Sequence, residues 1–346
     1  LGPTEDDLTK EMVGEFFGLP MELDEKSLEA VRARMCRLGR EMTENNNKQA
    51  YFPRGAIIMP NACGTAPGCI VERDGKAVAV LPGPPREMKN IWNKYVAPML
   101  AAKQDEVLVS RYCRVVNIGE SALEDRLYDL LKNSTNPTVA PYAGGGETML
   151  RVTAKAKTRE EAYAMTIPVV QAIADECGDD LYAVDQDCME QVVVELLHEL
   201  GMKVCTCESM TGGLIAGRIT NIPGASDVFE CGLVTYSNRI KQELLGVREE
   251  TLRDFGAVSE ETAREMAAGI RRVSGAPIGV SVTGNAGPEP SEGKEVGLVY
   301  IGVDSDNFRK VFTLNVNRKD QDARETIRYL ASSHALSLIL KAAELA

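Results

Sequence analysis

Histidine is nearly missing: the 346-residue chain has two, His198 and His334. Both fall on the flanks of stretches with helical spacing, EQVVVELLHEL and YLASSHALSL. Acid–base chemistry in this chain is therefore expected to run without imidazole. Positive charge is also in deficit. Thirty-nine Lys and Arg against 51 Asp and Glu give a net charge of −12, which repels phosphate backbones and disfavours nucleic acid as a partner. No apolar run approaches the length of a bilayer span, so no membrane partner is expected. The nine cysteines are scattered, without a C-x-x-C pair or a Cys/His ligand set, so no metal site is read from them. The close pair, Cys205 and Cys207, points to one face of a predicted strand. Buried, reduced thiols and a cytoplasmic location follow as the expectation. The opening Leu1-Gly2-Pro3-Thr4 lacks a methionine and a charged segment ahead of an apolar core. It reads as a chain entered partway through a domain, not as a signal peptide.

What is present divides by texture into three parts. Residues 1–104 open with turn chemistry and then a helical pattern, with Thr4 as N-cap and Asp6 and Asp7 in the first turn. The same residues also suit a loop that holds phosphate or, through the two acids, a divalent metal. The asparagines of the polar run Thr43–Gln49 favour turns, while Lys48 and Gln49 are placed to reach a nucleotide. CIVERDGKAVAVLPG reads as a hairpin turning at Asp74-Gly75. It leads into Pro82-Gly83-Pro84-Pro85-Arg86-Glu87, a stiff pocket-lining loop at a helix start. Residues 105–186 read strand, helix with Ser121 as cap, two strands around Gly144-Gly145-Gly146, and a helix opened by Thr158. That is a small α+β domain. In residues 187–346 amphipathic helices alternate with apolar strands, which predicts an α/β sandwich.

The stretch with the most chemistry is Cys207-Glu208-Ser209-Met210-Thr211-Gly212-Gly213. It lies between the apolar run MKVCTC and the helical LIAGRIT. Strand, tight turn and helix lift a hydroxyl out of the sheet. The same pattern fits a plain helix cap at Ser209 or Thr211. Downstream, CGLVTYS is a strand and NRIKQELLG a helix stopped by Gly246.

Taken in order, ESMTGG, VTYSNRIKQELLGV, GAVSEETAREMA and VTGNAGP resemble the CinA family of competence/damage-inducible proteins. LGPTEDDLT, ENNNKQ, GTAPG and LPGPPREM resemble the molybdopterin-cofactor-binding-like domain of that family's long members, here partial at its start. NIGESALEDRL and NPTVAPYA resemble its middle domain. The resemblance implies a nicotinamide mononucleotide deamidase of pyridine nucleotide (NAD) salvage, a homodimer that needs no cofactor for that reaction. It implies Ser209 as nucleophile, Lys241 as base and Tyr236 as proton relay, a Ser-Lys variant of triad logic. Lysine near pH 7 must lose about three pKa units, roughly 4 kcal/mol, which a dry pocket supplies. Thr211, Gly212 and Gly213 are expected to offer N–H donors, and Glu208 and Asn238 to border the nucleotide. Thr283, Gly284 and Gly287 would form the facing wall, and Arg324 and Arg328 would grip the phosphate. Met210 and Asn285 depart from the family pattern, as does the loop Glu289–Glu295, which lacks a glycine run. Two alternatives stand beside this reading. One is a nucleotide-binding regulator without catalysis. The other is a metal-dependent ADP-ribose pyrophosphatase built on Thr4, Asp6, Asp7, Asn46, Lys48, Gly83 and Glu87.

Overall fold

Parallel strands need long crossovers, and the spacing of apolar strands and helices in the last 160 residues supplies them. The computed structural model describes residues 1–144, 147–318 and 320–346. It divides into two units, Leu1–Val107 and Leu108–Ala346.

The first unit runs α1 (Thr9–Phe17), β1 (Met21–Leu23), α2 (Glu25–Arg37), β2 (Tyr51–Pro53), β3 (Ile57–Met59), β4 (Gly68–Arg73), β5 (Lys76–Val80), α3 (Pro85–Ile91) and α4 (Ala97–Ala101). A π-helical turn, Trp92–Val96, joins the last two helices. Strands β3-β4-β5 form an antiparallel sheet whose second hairpin turns at Asp74-Gly75, as the sequence predicts. The N-cap expected at Thr4 is not there. The helix starts at Thr9, because the Asp7 carboxylate instead accepts the Thr4 amide at 3.0 Å and its hydroxyl at 2.5 Å, closing a separate turn.

The second unit begins with β6 (Val107–Val116), α5 (Glu120–Arg126), α6 (Tyr128–Asn133), β7 (Thr138–Gly144), β8 (Glu147–Ala156), α7 (Arg159–Cys177) and β9 (Leu181–Val184). The sheet order is β7-β8-β6-β9. Thr158 and Glu161 form a capping box at α7. Ser121 is not a cap. Gly119 takes the extended N-cap backbone, and Ser121 lies one residue inside α5. Gly144 ends β7, while Gly145 and Gly146 lie outside the described residues.

The rest is α8 (Met189–Glu199), β10 (Val204–Glu208), α9 (Leu214–Thr220), α10 (Ala225–Val228), β11 (Phe229–Val234), α11 (Asn238–Leu245), α12 (Glu249–Phe255), α13 (Glu260–Ser274), β12 (Ile278–Gly284), β13 (Leu298–Asp304), β14 (Arg309–Asn315) and α14 (Ala323–Glu344). Five strands form one sheet in the order β11-β10-β12-β13-β14. The first three are mutually parallel, β13 runs antiparallel to β12, and β14 antiparallel to β13. Strand alternation sorts the two faces. Val204, Val280 and Val282 pack with α8, α9 and α14, whereas Cys205 and Cys207 pack with Met266 and Ile270 of α13. This is the α/β sandwich the sequence implies.

The topology puts a crevice in one place. From β10 the chain turns into α9 on one face and then into β11. From β11 it turns into α11 and α13 on the other face and crosses to β12. Consecutive connections leave the sheet on opposite sides, so the carboxyl ends of β10 and β11 part. Open α/β sheets bind ligands at such a switch point.

Candidate active site

Ser209 follows β10 directly and Lys241 lies in the first turn of α11, so the two meet across that crevice. Lys241 Nζ is 3.3 Å from Ser209 Oγ, 3.0 Å from the Thr235 carbonyl oxygen and 3.1 Å from that of Tyr236. The side chain is enclosed, with the residue 1% exposed. The N-cap Ser237 and the left-handed Gly246 fix both ends of α11, which sets the reach of Lys241. Three acceptors satisfy an ammonium. In the neutral amine, the two protons serve the two carbonyls and the lone pair is left facing Ser209 Oγ. That is the arrangement a general base requires. Burial lowers the Lys241 pKa below its ordinary 10.5, against smaller opposing influences from Glu292 and Cys207.

The turn that carries Ser209 is held from below by Glu208, which is buried. Its carboxylate accepts the N–H groups of Gly213 at 3.0 Å, Ile215 at 3.2 Å and Ala216 at 2.9 Å. It is the internal cap of α9, not a substrate ligand as expected. Neither Ser209 nor Thr211 is the N-cap; that position is Gly213, in the left-handed region. The Gly212 amide donates to the Ser209 carbonyl, so Gly212 and Gly213 do not offer free donors either. Among the described residues, the amides of Met210 and Thr211 have no acceptor in the chain. The Thr211 and Thr235 hydroxyls are buried without partners among those residues. Replacing Glu208 with alanine removes three charge-assisted bonds to the first turn of α9. A loss of about 3 kcal/mol is expected, read as a lower urea midpoint at unchanged slope.

Arg328, expected at the phosphate, instead reaches back to the same turn. Its Nε donates to the Met210 carbonyl at 3.0 Å and its Nη2 to that of Thr211 at 2.7 Å. Arg324 donates to the Gly287 carbonyl. It borders a groove of about 690 Å³ between Ala286–Leu298 and the start of α14. The Thr283 hydroxyl is engaged with the Ala257 carbonyl at 2.7 Å, which ties the loop before α13 to the end of β12. Gly284 does form wall. A Cβ there would stand 2.7 Å from Met210 Sδ, so the bulk of Met210 fits because residue 284 has no side chain. Asn285 orders the following loop: it donates to the Glu289 and Lys294 carbonyls and accepts the Gly287 amide.

Two assignments do not survive as drawn. The Tyr236 side chain is 65% exposed and takes no part in the network; its backbone carbonyl does, holding Lys241. Asn238 is exposed at the first position of α11. Thr235, which sequence reasoning passed over, contributes its carbonyl, a group that no side-chain motif reveals. Neither histidine joins the site: His198 pairs loosely with Asp227, and His334 lies in α14 with its pKa lowered by burial. A cavity of about 500 Å³ between Leu197 and Pro277 lies at the amino ends of the strands, away from the pair.

In the first unit the expected residues serve local structure. Besides Thr4, Asp7 accepts the Leu1 amine at 3.0 Å, and the Thr4 hydroxyl leads the influences that hold its carboxyl well below the usual range. Asp6 and Gly83 are exposed. Asn46 caps its own turn through Thr43, Lys48 donates to the Thr4 carbonyl, and Glu87 accepts Asn61 Nδ2 at 2.6 Å. Among the described residues no three His, Cys, Asp or Glu come together.

Comparison with known proteins agrees along the whole length. Residues 1–102 match a probable molybdopterin binding domain, 110–183 the damage-inducible protein CinA KH domain, and 186–343 the CinA C-terminal domain. A putative competence-damage inducible protein of Clostridium perfringens is 49% identical over 326 residues, covering 94% of this chain and 79% of that protein. A CinA-like protein of Kosmotoga olearia is 43% identical over 343 residues, covering 99% and 82%. The solved structure of a competence/damage inducible protein from Agrobacterium tumefaciens covers 44% of this chain and 92% of that one, at 40% identity and a TM-score of 0.41. With relatives this similar over most of both lengths, the chain belongs to the CinA family.

Proposed function

We propose that this protein is an amidohydrolase that converts nicotinamide mononucleotide to nicotinate mononucleotide and ammonia. The observation that carries the reading is the enclosed Lys241 Nζ, 3.3 Å from Ser209 Oγ and 3.0 and 3.1 Å from the carbonyl oxygens of Thr235 and Tyr236. Lys241 takes the Ser209 proton as Oγ attacks the carboxamide carbon. The amide that follows the nucleophile, Met210 N–H, has no acceptor among the described residues and is the candidate donor to the developing oxyanion. The lysine ammonium then passes its proton to the departing nitrogen, and ammonia leaves an acyl-serine. Water attacks that ester with Lys241 again as base, releasing the carboxylate and restoring both groups. No step needs a metal or a cofactor.

The test is ammonia release from nicotinamide mononucleotide, with the carboxylate product identified by mass. No ammonia from folded protein at millimolar substrate would overturn the reading.

Arg328 separates positioning from binding. It clamps the carbonyls of residues 210 and 211, and a trans peptide points its N–H opposite to its carbonyl. Loss of the clamp loosens the turn that carries both nucleophile and donor. Arg328→Met is expected to lower kcat about 100-fold with little change in KM. A phosphate ligand would give the opposite split.

A further inference from the structure

The loop between β12 and β13 ends in a tight hairpin. Ser291 and Lys294 exchange backbone bonds, and the residues between them, Glu292 and Gly293, have φ of +53° and +70°. Two consecutive positive φ values make a type I′ turn, which puts residue 292 at the tip. Glycine or asparagine suits such a position and glutamate does not, so its presence calls for a reason.

The tip reaches the turn before α13. Glu292 Oε2 accepts the Val258 amide at 3.2 Å, and a Cβ on Gly256 would meet the same oxygen at 2.5 Å. That turn is tied to the end of β12 through Thr283 and Ala257. The end of β12 is in turn joined to the nucleophile, since the Ser209 amide donates to Val282. A relay of hydrogen bonds thus ties the Glu292 carboxylate, through the turn before α13 and the end of β12, to Ser209. Among the described residues its Oε1 has no partner. Of the groups that act on Lys241, burial is the largest; Glu292 opposes it, ahead of the Cys207 thiol of β10.

We propose that Glu292 is a specificity residue: its carboxylate selects amides carried on a cationic aromatic ring, such as the pyridinium of an oxidised nicotinamide nucleotide, over uncharged aromatic amides. This rests on the amidase reading above and names the feature of the substrate that Glu292 detects. The positive charge of a cation seated beside Glu292 also opposes that carboxylate's influence in favour of the Lys241 ammonium. Substrate binding then helps to make the base neutral, so selection and activation share one charge.

The experiment compares wild type with Glu292→Gln, which keeps an acceptor for the Val258 amide and removes only the charge. Nicotinamide mononucleotide is the substrate. Its 1,4-dihydro form, of the same shape but with an uncharged ring, is the competing ligand. The expected result is a rise in KM of about fivefold for the cationic nucleotide, the upper range for a charge pair open to solvent. The inhibition constant of the dihydro form stays unchanged. The wild-type advantage shrinks with added salt. Equal weakening of both ligands, or of neither, overturns the role of Glu292 and leaves the amidase intact. If wild type releases no ammonia, the amidase reading fails instead. Calorimetric titration of the two nucleotides then decides Glu292 alone, and absence of binding overturns both.

Discussion

Ammonia release by Ser209→Ala is expected to fall by roughly 10⁴- to 10⁶-fold, the loss seen when a serine nucleophile is removed from a unit that works with its base. The fold should not follow it down. Apart from the contact with Lys241 Nζ, what holds residue 209 is backbone: its amide on Val282 and its carbonyl under Gly212. Alanine keeps all of that, so the thermal midpoint should stay within a degree or two. The contrast with Glu208→Ala is the informative part. Adjacent residues on one turn should give opposite phenotypes, one losing chemistry at full stability and the other losing stability. Residual turnover above about one percent in a folded Ser209→Ala protein would mean that water attacks the amide directly. Lys241 would then be activating that water, and no acyl-serine would form.

The ease of reading differed by the kind of signal each group leaves in sequence. Ser209 is legible as a hydroxyl lifted by strand, turn and helix, and Lys241 as its partner through the family resemblance; the two meet at the parted strands. The sheet faces were legible from alternation, as Cys205 and Cys207 show by sharing the α13 side. Roles that rest on backbone groups were not. Tyr236 looks like a relay by its phenol, but its carbonyl is the atom in use. Gly212 and Gly213 look like free donors, but Glu208 and Ser209 occupy them. Arg328 was recognised as important for a reason that its geometry does not support, because sequence gives the charge of a guanidinium but not its aim. Caps failed where a neighbour offered a better closure: Asp7 organises the turn before α1, and Gly119 starts α5. The loop Glu289–Glu295 stands out in sequence as a departure from the family pattern, but nothing there distinguishes Glu292 within it.

Lys241→Met should reduce kcat by roughly 10²- to 10⁴-fold, the usual contribution of a general base, with the nucleophile still present. The pH dependence gives the stronger test. In wild type, kcat/KM should climb with pH at unit slope until Lys241 is neutral, with a midpoint below the ordinary 10.5 because burial lowers it. The methionine variant should show a flat residual rate over the same range. Stability should move in parallel. Between the lowered folded pKa and the ordinary one, the unfolded chain holds the proton and the native chain does not. The native state therefore gains stability as pH rises through that interval and loses it as pH falls toward the folded pKa. Urea midpoints for wild type should follow that slope, and those for Lys241→Met should not. Activity and stability would then report one proton on one nitrogen. A rate limb that persists in the methionine variant would assign the base to a different group, and the amine facing Ser209 Oγ would be structural.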